Sequence, residues 1–143
     1  SGRTLRADLD ARAGTFFDGT RAQLVVGPTW NVSPHLELGG RYQYTRLRFD
    51  DRGQAADIHV GRLRVRTALD ARASGNVFFQ YNSTTDRFDV NLRLRYNFAE
   101  GTDLWLVWDE GLSTDRLRDP TGPRLPLSMS RAFILKYTYT FGL

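Results

Sequence analysis

The twelve residues Arg87–Phe98, RFDVNLRLRYNF, alternate without exception. Phe88, Val90, Leu92, Leu94, Tyr96 and Phe98 are apolar or aromatic, while Arg87, Asp89, Asn91, Arg93, Arg95 and Asn97 are charged or amide-bearing. A period of two belongs to a β-strand with one apolar and one polar face; an amphipathic helix needs a period of 3.6. The end of the chain repeats the pattern, with Arg131, Phe133, Leu135, Tyr137, Tyr139, Phe141 and Leu143 against Ala132, Ile134, Lys136, Thr138, Thr140 and Gly142.

Working outward, four weaker alternations precede these. Leu5–Ala13 alternates with Arg6, Asp8, Asp10 and Arg12, and Ala22, Leu24 and Val26 lead to Trp30 opposite Arg21 and Gln23. Leu36–Tyr44 opposes Glu37 and Arg41, and Leu63–Ala71 opposes Arg62, Arg64, Arg66, Asp70 and Arg72. Val77–Asn82 and Leu104–Glu110 are apolar on both faces, which leaves their facing open. The total is eight strands and no helix. Compact turns are expected at Asn31–His35, Ser74–Asn76 and Ala99–Asp103, where Pro, Gly, Asn and Asp cluster. Phe16–Thr20, Asp50–Asp57 and Gly111–Met129 read as longer connections at the other end, with a short one at Ser83–Asp86. The arrangement is an up-and-down meander in a single domain, residues 1–143.

Composition removes several classes. The 143 residues carry 20 Lys+Arg against 16 Asp+Glu, and Lys136 is the only lysine. The longest uncharged stretch, Ala22–Leu36, contains Pro28 and Pro34 and is shorter than the ~18–20 apolar residues of a membrane-spanning helix. There is no cysteine for disulfides or thiolate metal sites. Regularly spaced aromatics, 13% of the chain, argue against disorder. No signal peptide opens the chain, so an exported protein is expected here as its mature form or an excised piece.

Alternation does not say which face points inward. A soluble ligand-binding barrel buries the apolar face; a membrane barrel turns it to lipid. Three features favour the membrane. Threading the meander places Trp30, Tyr96, Phe98, Trp105, Tyr139 and Phe141 near the tight-turn end. Tyr44, Tyr81, Phe88, Trp108 and Phe133, with Phe16, Phe17 and Phe49, fall near the loop end, and Leu, Val and Ala lie between. Two aromatic girdles around an aliphatic band match two lipid interfaces. The opposite face carries both signs: Arg6, Asp8, Asp10, Arg12, Arg41, Arg62, Arg64, Arg66, Asp70, Asp89, Arg93, Arg95 and Lys136 read as a lumen charge network. The planar fork of arginine suits such a confined space. Finally, Tyr137-x-Tyr139-x-Phe141-x-Leu143 is similar to the terminal signal read by outer-membrane barrel-assembly machinery.

Several phrases also resemble the C-terminal barrel region of a bacterial family of unknown function whose full-length members carry an N-terminal carbohydrate-binding module. They are GPTWNVSPHLEL (Gly27–Leu38), FFQYNSTTDRFDVNLRLRYNF (Phe78–Phe98), EGTDLWLVWDEG (Glu100–Gly111) and RAFILKYTYTF (Arg131–Phe141). The resemblance implies a barrel in an outer membrane. The module is absent from this chain, and no phrase is a catalytic motif.

Chemistry is sparse. His35 and His59 fall at opposite ends of the meander, so no two-His metal site or His-centred triad is expected. Asp109-Glu110, Asp8 and Asp10 are candidate acid/base carboxylates, but the arginines around them make salt bridges the better reading. Asp50, Asp51 and Asp57, and Asp115 with Asp119, read as solvated loop charges rather than calcium ligands. A sequence pI of about 9.8 raises nucleic-acid binding, yet the cations alternate with acids instead of forming one stripe with stacking aromatics. The expectation is therefore a monomeric, non-enzymatic, eight-stranded antiparallel transmembrane β-barrel of a Gram-negative outer membrane. It needs no cofactor or metal, both termini are periplasmic, and it acts as an anchor or structural module with a side-chain-filled lumen. A small pore or transporter and a soluble ligand-binding barrel are the alternatives.

Overall fold

The computed structural model describes residues 4–117, 123–124 and 126–141. Eight strands form one antiparallel sheet in chain order: β1 Thr4–Phe16, β2 Gly19–Ser33, β3 Leu36–Phe49, β4 Gln54–Ala68, β5 Ala73–Asn82, β6 Arg87–Ala99, β7 Thr102–Ser113 and β8 Ser128–Tyr139. The eight-strand meander expected from alternation is present. Strands β1 and β8 are the two edges of the sheet, and among the described residues no ladder joins them.

The connections differ from the expected pattern. The β1–β2 link is two residues, Phe17 and Asp18, with Phe17 at φ 53°. The β3–β4 link closes on a single 3-10 turn, Asp50–Arg52, with the Gly53 N–H donating to the Asp50 carbonyl at 3.2 Å. Both stretches were expected to be longer loops. The turn expected at Ser74–Asn76 lies four residues earlier, because β4 stops at Ala68 and Ser74, Gly75 and Asn76 are already in β5. The Asp70 carboxylate causes this. Its Oδ1 accepts the N–H groups of Arg72 and Ala73, each at 2.7 Å, and so fixes a side-chain-capped turn. The Gly111–Met129 connection narrows to residues 114–127, part of which lies outside the described residues.

Register settles the two strands whose facing alternation left open. Directly opposed residues share a face. Val77 and Phe79 oppose Leu92 and Val90, whereas Phe78 and Gln80 oppose Asn91 and Asp89. Leu104, Leu106 and Trp108 join the apolar face, and Trp105, Val107 and Asp109 the charged one.

The sheet has almost no hydrophobic core. Val25, 6% exposed, is the only buried hydrophobic side chain among the described residues, and it lies on the charged face opposite Asp10 and Gln43. Thr45 and Ser113, also buried, share that face. The apolar face stays open: Leu9 is 72% exposed, Phe133 65%, and even the central Leu63 44%. The accessible surface is 10598 Å². A folded globular monomer of 16.3 kDa exposes about 7,500 Å². The excess follows from a sheet with nothing packed on its apolar side.

The β6–β7 hairpin turns on Gly101 at φ 73°, where an added Cβ would sit 2.7 Å from the Thr140 Cβ. Gly101→Ala is expected to lower the stability of the folded protein by about 1–2 kcal/mol, the cost of a left-handed L-residue, with the Thr140 clash adding to it. Denaturant unfolding in detergent measures this.

Candidate functional site on the charged face

The charged face is the sheltered one. A cavity of about 510 Å³ at the hairpin-turn end draws its walls from β2 through β7, including Asn31, Glu37, Arg66, Asn76, Arg93 and Trp105. A second, of about 360 Å³, lies farther along the same face beside Asp8, Arg41, Arg62 and Arg64. Every residue expected in the lumen network except Asp70 shares this face by register; Asp70 instead belongs to the β4–β5 turn. Lys136 opposes Trp105 on edge strand β8.

Ion pairing on this face is uneven. Arg12 and Asp10 pair at 2.9 Å, and Arg87 and Asp89 at 2.6 Å. Arg95 grips Asp103 with both nitrogens, at 2.9 and 3.1 Å, and lies 5.3 Å from the Trp105 ring centroid. Glu37 is shared between Arg64 at 3.6 Å and Arg66 at 3.5 Å. Among the described residues Arg62 finds only the Gln80 side-chain carbonyl, at 3.0 Å. The Asn91 amide donates to the Asp109 carboxylate. Pairs between groups this exposed contribute at most about 1 kcal/mol each.

The carboxylate pair Asp109-Glu110 does not converge. Successive strand residues point to opposite faces, so Asp109 meets Asn91 on the charged face and Glu110 meets Arg131 on the apolar face. The histidines are separate, as expected. His35 Nδ1 lies 2.8 Å from the Ala68 carbonyl oxygen at one end, and His59 Nδ1 lies 2.7 Å from the Tyr42 hydroxyl toward the other. Among the described residues no group of three His, Cys, Asp or Glu side chains is placed to hold a metal.

The aromatic positions need one correction. Trp30, Tyr44, Tyr81, Phe88, Trp108, Phe133, Tyr96 and Tyr139 lie on the apolar face, but Trp105 lies on the charged one, between Arg95 and Lys136. The period is the same for both facings, and only the partner strand decides. The sequence also concealed a polar network at the loop end of the apolar face. His59 sits 5.1 Å from the Tyr44 ring, the Tyr44 hydroxyl donates to Asp57 at 2.6 Å, and Arg46 stands 3.8 Å from the same carboxylate. Beyond the last apolar positions of β3 and β4, the same face becomes polar.

Comparison with family models, curated proteins and solved structures finds no match to the chain.

Two backbone N–H groups hold the Asp70 carboxyl below the ordinary carboxylate range, Ala73 first and Arg72 second. A lowered folded value means the turn is fully stabilised above the unfolded carboxyl's ordinary value of 3.8. That stabilisation is lost as pH falls through the lower folded value. Amide exchange at Arg72 and Ala73 should therefore accelerate only at strongly acid pH. The Asp70→Asn protein should lack this pH step.

Proposed function

We propose that the chain is a closed eight-stranded barrel of a bacterial outer membrane, a non-enzymatic anchor or structural module whose apolar face meets lipid. The observation that carries this reading is the apolar face itself: large side chains on seven of the eight strands, from Leu5 on β1 to Tyr139 on β8, lie open with no protein layer over them among the described residues. In water such a surface drives aggregation, whereas in a bilayer it is the stable arrangement. The terminal aromatic strand is the segment offered to the assembly machinery, and both termini face the periplasm.

Strand stagger supports closure. Following the register across the sheet, Thr4 is level with Asn31, Glu37, Arg66, Asn76, Arg93, Val107 and finally Ile134, in the middle of β8. The two edges are thus offset along the strand direction, as the two sides of an unrolled barrel are. Closure requires an even slip, since an odd one turns apolar side chains inward. A slip of about six residues over eight strands gives a tilt near 28°, flatter than the 35–45° of membrane barrels. A slip of about ten sets Arg12 opposite Lys136, two like charges. A slip of about eight gives a tilt near 36° and sets Asp10 opposite Lys136 and Leu9 opposite Tyr137.

The protein is expected to fold only with detergent or lipid, with strand-type circular dichroism and heat-modifiable gel migration. A folded monomer in plain buffer contradicts the membrane reading. Because the chain has no cysteine, closure is directly testable. The Leu9→Cys, Tyr137→Cys protein should form an intramolecular disulfide when folded, whereas Leu9→Cys with Phe133→Cys should not.

A further inference from the structure

Six arginines on β3, β4 and β6 share the charged face: Arg41, Arg62, Arg64, Arg66, Arg93 and Arg95. Asp103 occupies Arg95, and Glu37 is divided between Arg64 and Arg66. Arg41 lies directly opposite Arg62, and neither has a carboxylate within 4 Å among the described residues. Arg93 likewise has none. Opposed like charges destabilise a sheet unless something neutralises them.

The cavity at the hairpin-turn end shows where that something fits. Arg66 and Arg93 both stand directly opposite Asn76 on β5, one from each side. The Asn76 Oδ1 between them is buried and receives no donor, which is costly for a buried acceptor. The Arg64 Nε, also buried, likewise has no partner. Cationic forks flanking an orphan acceptor complement an oxyanion that carries both charge and an O–H group.

We infer that this cavity binds inorganic phosphate, which keeps an O–H at neutral pH, with Arg66 and Arg93 donating to its oxygens and the Asn76 Oδ1 accepting that O–H. Sulfate has the same shape and lacks the O–H at neutral pH, so the site discriminates between them. The inference concerns the charged face alone and does not depend on what covers the apolar one.

The test is calorimetric titration of the full chain in nonionic maltoside micelles, which carry no phosphate headgroups, with inorganic phosphate, glycerol 3-phosphate and sulfate. Phosphate should bind at least about tenfold more tightly than sulfate, as loss of one hydrogen bond to a charged group implies. Glycerol 3-phosphate, mainly a dianion without a P–O–H at neutral pH, should bind more weakly than phosphate, as sulfate does; affinity equal to that of phosphate overturns the recognition of the O–H by Asn76. Arg93→Gln should weaken phosphate about tenfold or more. Asn76→Leu should abolish the preference over sulfate, and Arg12→Gln, remote and paired with Asp10, should change nothing. If Arg93→Gln loses its strand circular dichroism, Arg93→Lys, which keeps the charge and loses the fork, should still weaken binding. No phosphate binding, equal binding of sulfate, or full affinity in a folded Arg93 variant overturns the inference.

Discussion

Everything in this protein follows from an apolar sheet face that has no protein to lie against. In a soluble β-protein the apolar side of a meander meets a second sheet, a helix or its own opposite wall, and burial there offsets chain entropy at ~25 cal/mol per Å². Here a single sheet is the whole fold. Of its few buried side chains, Val25, Thr45 and Ser113 lie on the charged side, and only the small Thr102, at the start of β7, lies on the other. Within the described residues nothing covers the apolar side. Lipid is the medium we propose, and it would accept all of that face at once.

Strand tilt ties together two features that look unrelated. Trp30 near the hairpin-turn end of β2 is level, through Leu38, Val65, Val77 and Leu92, with Trp108 toward the loop end of β7. In an untilted sheet these two tryptophans would stand at one height, and two separate aromatic girdles would be impossible. With strands tilted near 36°, the line between them climbs about 14 Å over five strand spacings. Such a climb separates the girdles. The same tilt sense brings Asp10 beside Lys136 at the proposed seam. Long, uncovered edges such as β1 and β8 are otherwise an aggregation hazard, and closure removes both.

Much of the fold was legible in the sequence because Arg87–Phe98 and its neighbours alternate so cleanly. The illegible parts have specific causes. Ser74 and Gly75 carry turn chemistry, but the Asp70 carboxylate captures two N–H groups first and places the turn before them. Trp105 reads as a girdle residue because Leu104–Trp108 is apolar on both faces, and only its opposition to Arg95 and Lys136 assigns it. Which arginine meets which carboxylate was not legible: Arg95 and Arg12 pair with Asp103 and Asp10, whereas Arg41 and Arg93 have no carboxylate within 4 Å among the described residues. Strand spacing gives the direction of a side chain but not the length of a neighbour's reach.

The three tryptophans offer the most direct measurement of the central claim, since two lie on the apolar face and one on the charged face. In single-tryptophan proteins refolded into vesicles, lipids brominated along their acyl chains should quench Trp30 and Trp108 and leave Trp105 nearly unaffected. Quenching of Trp105 as strong as that of the other two, or no quenching of any, would contradict the assignment of the apolar face to lipid.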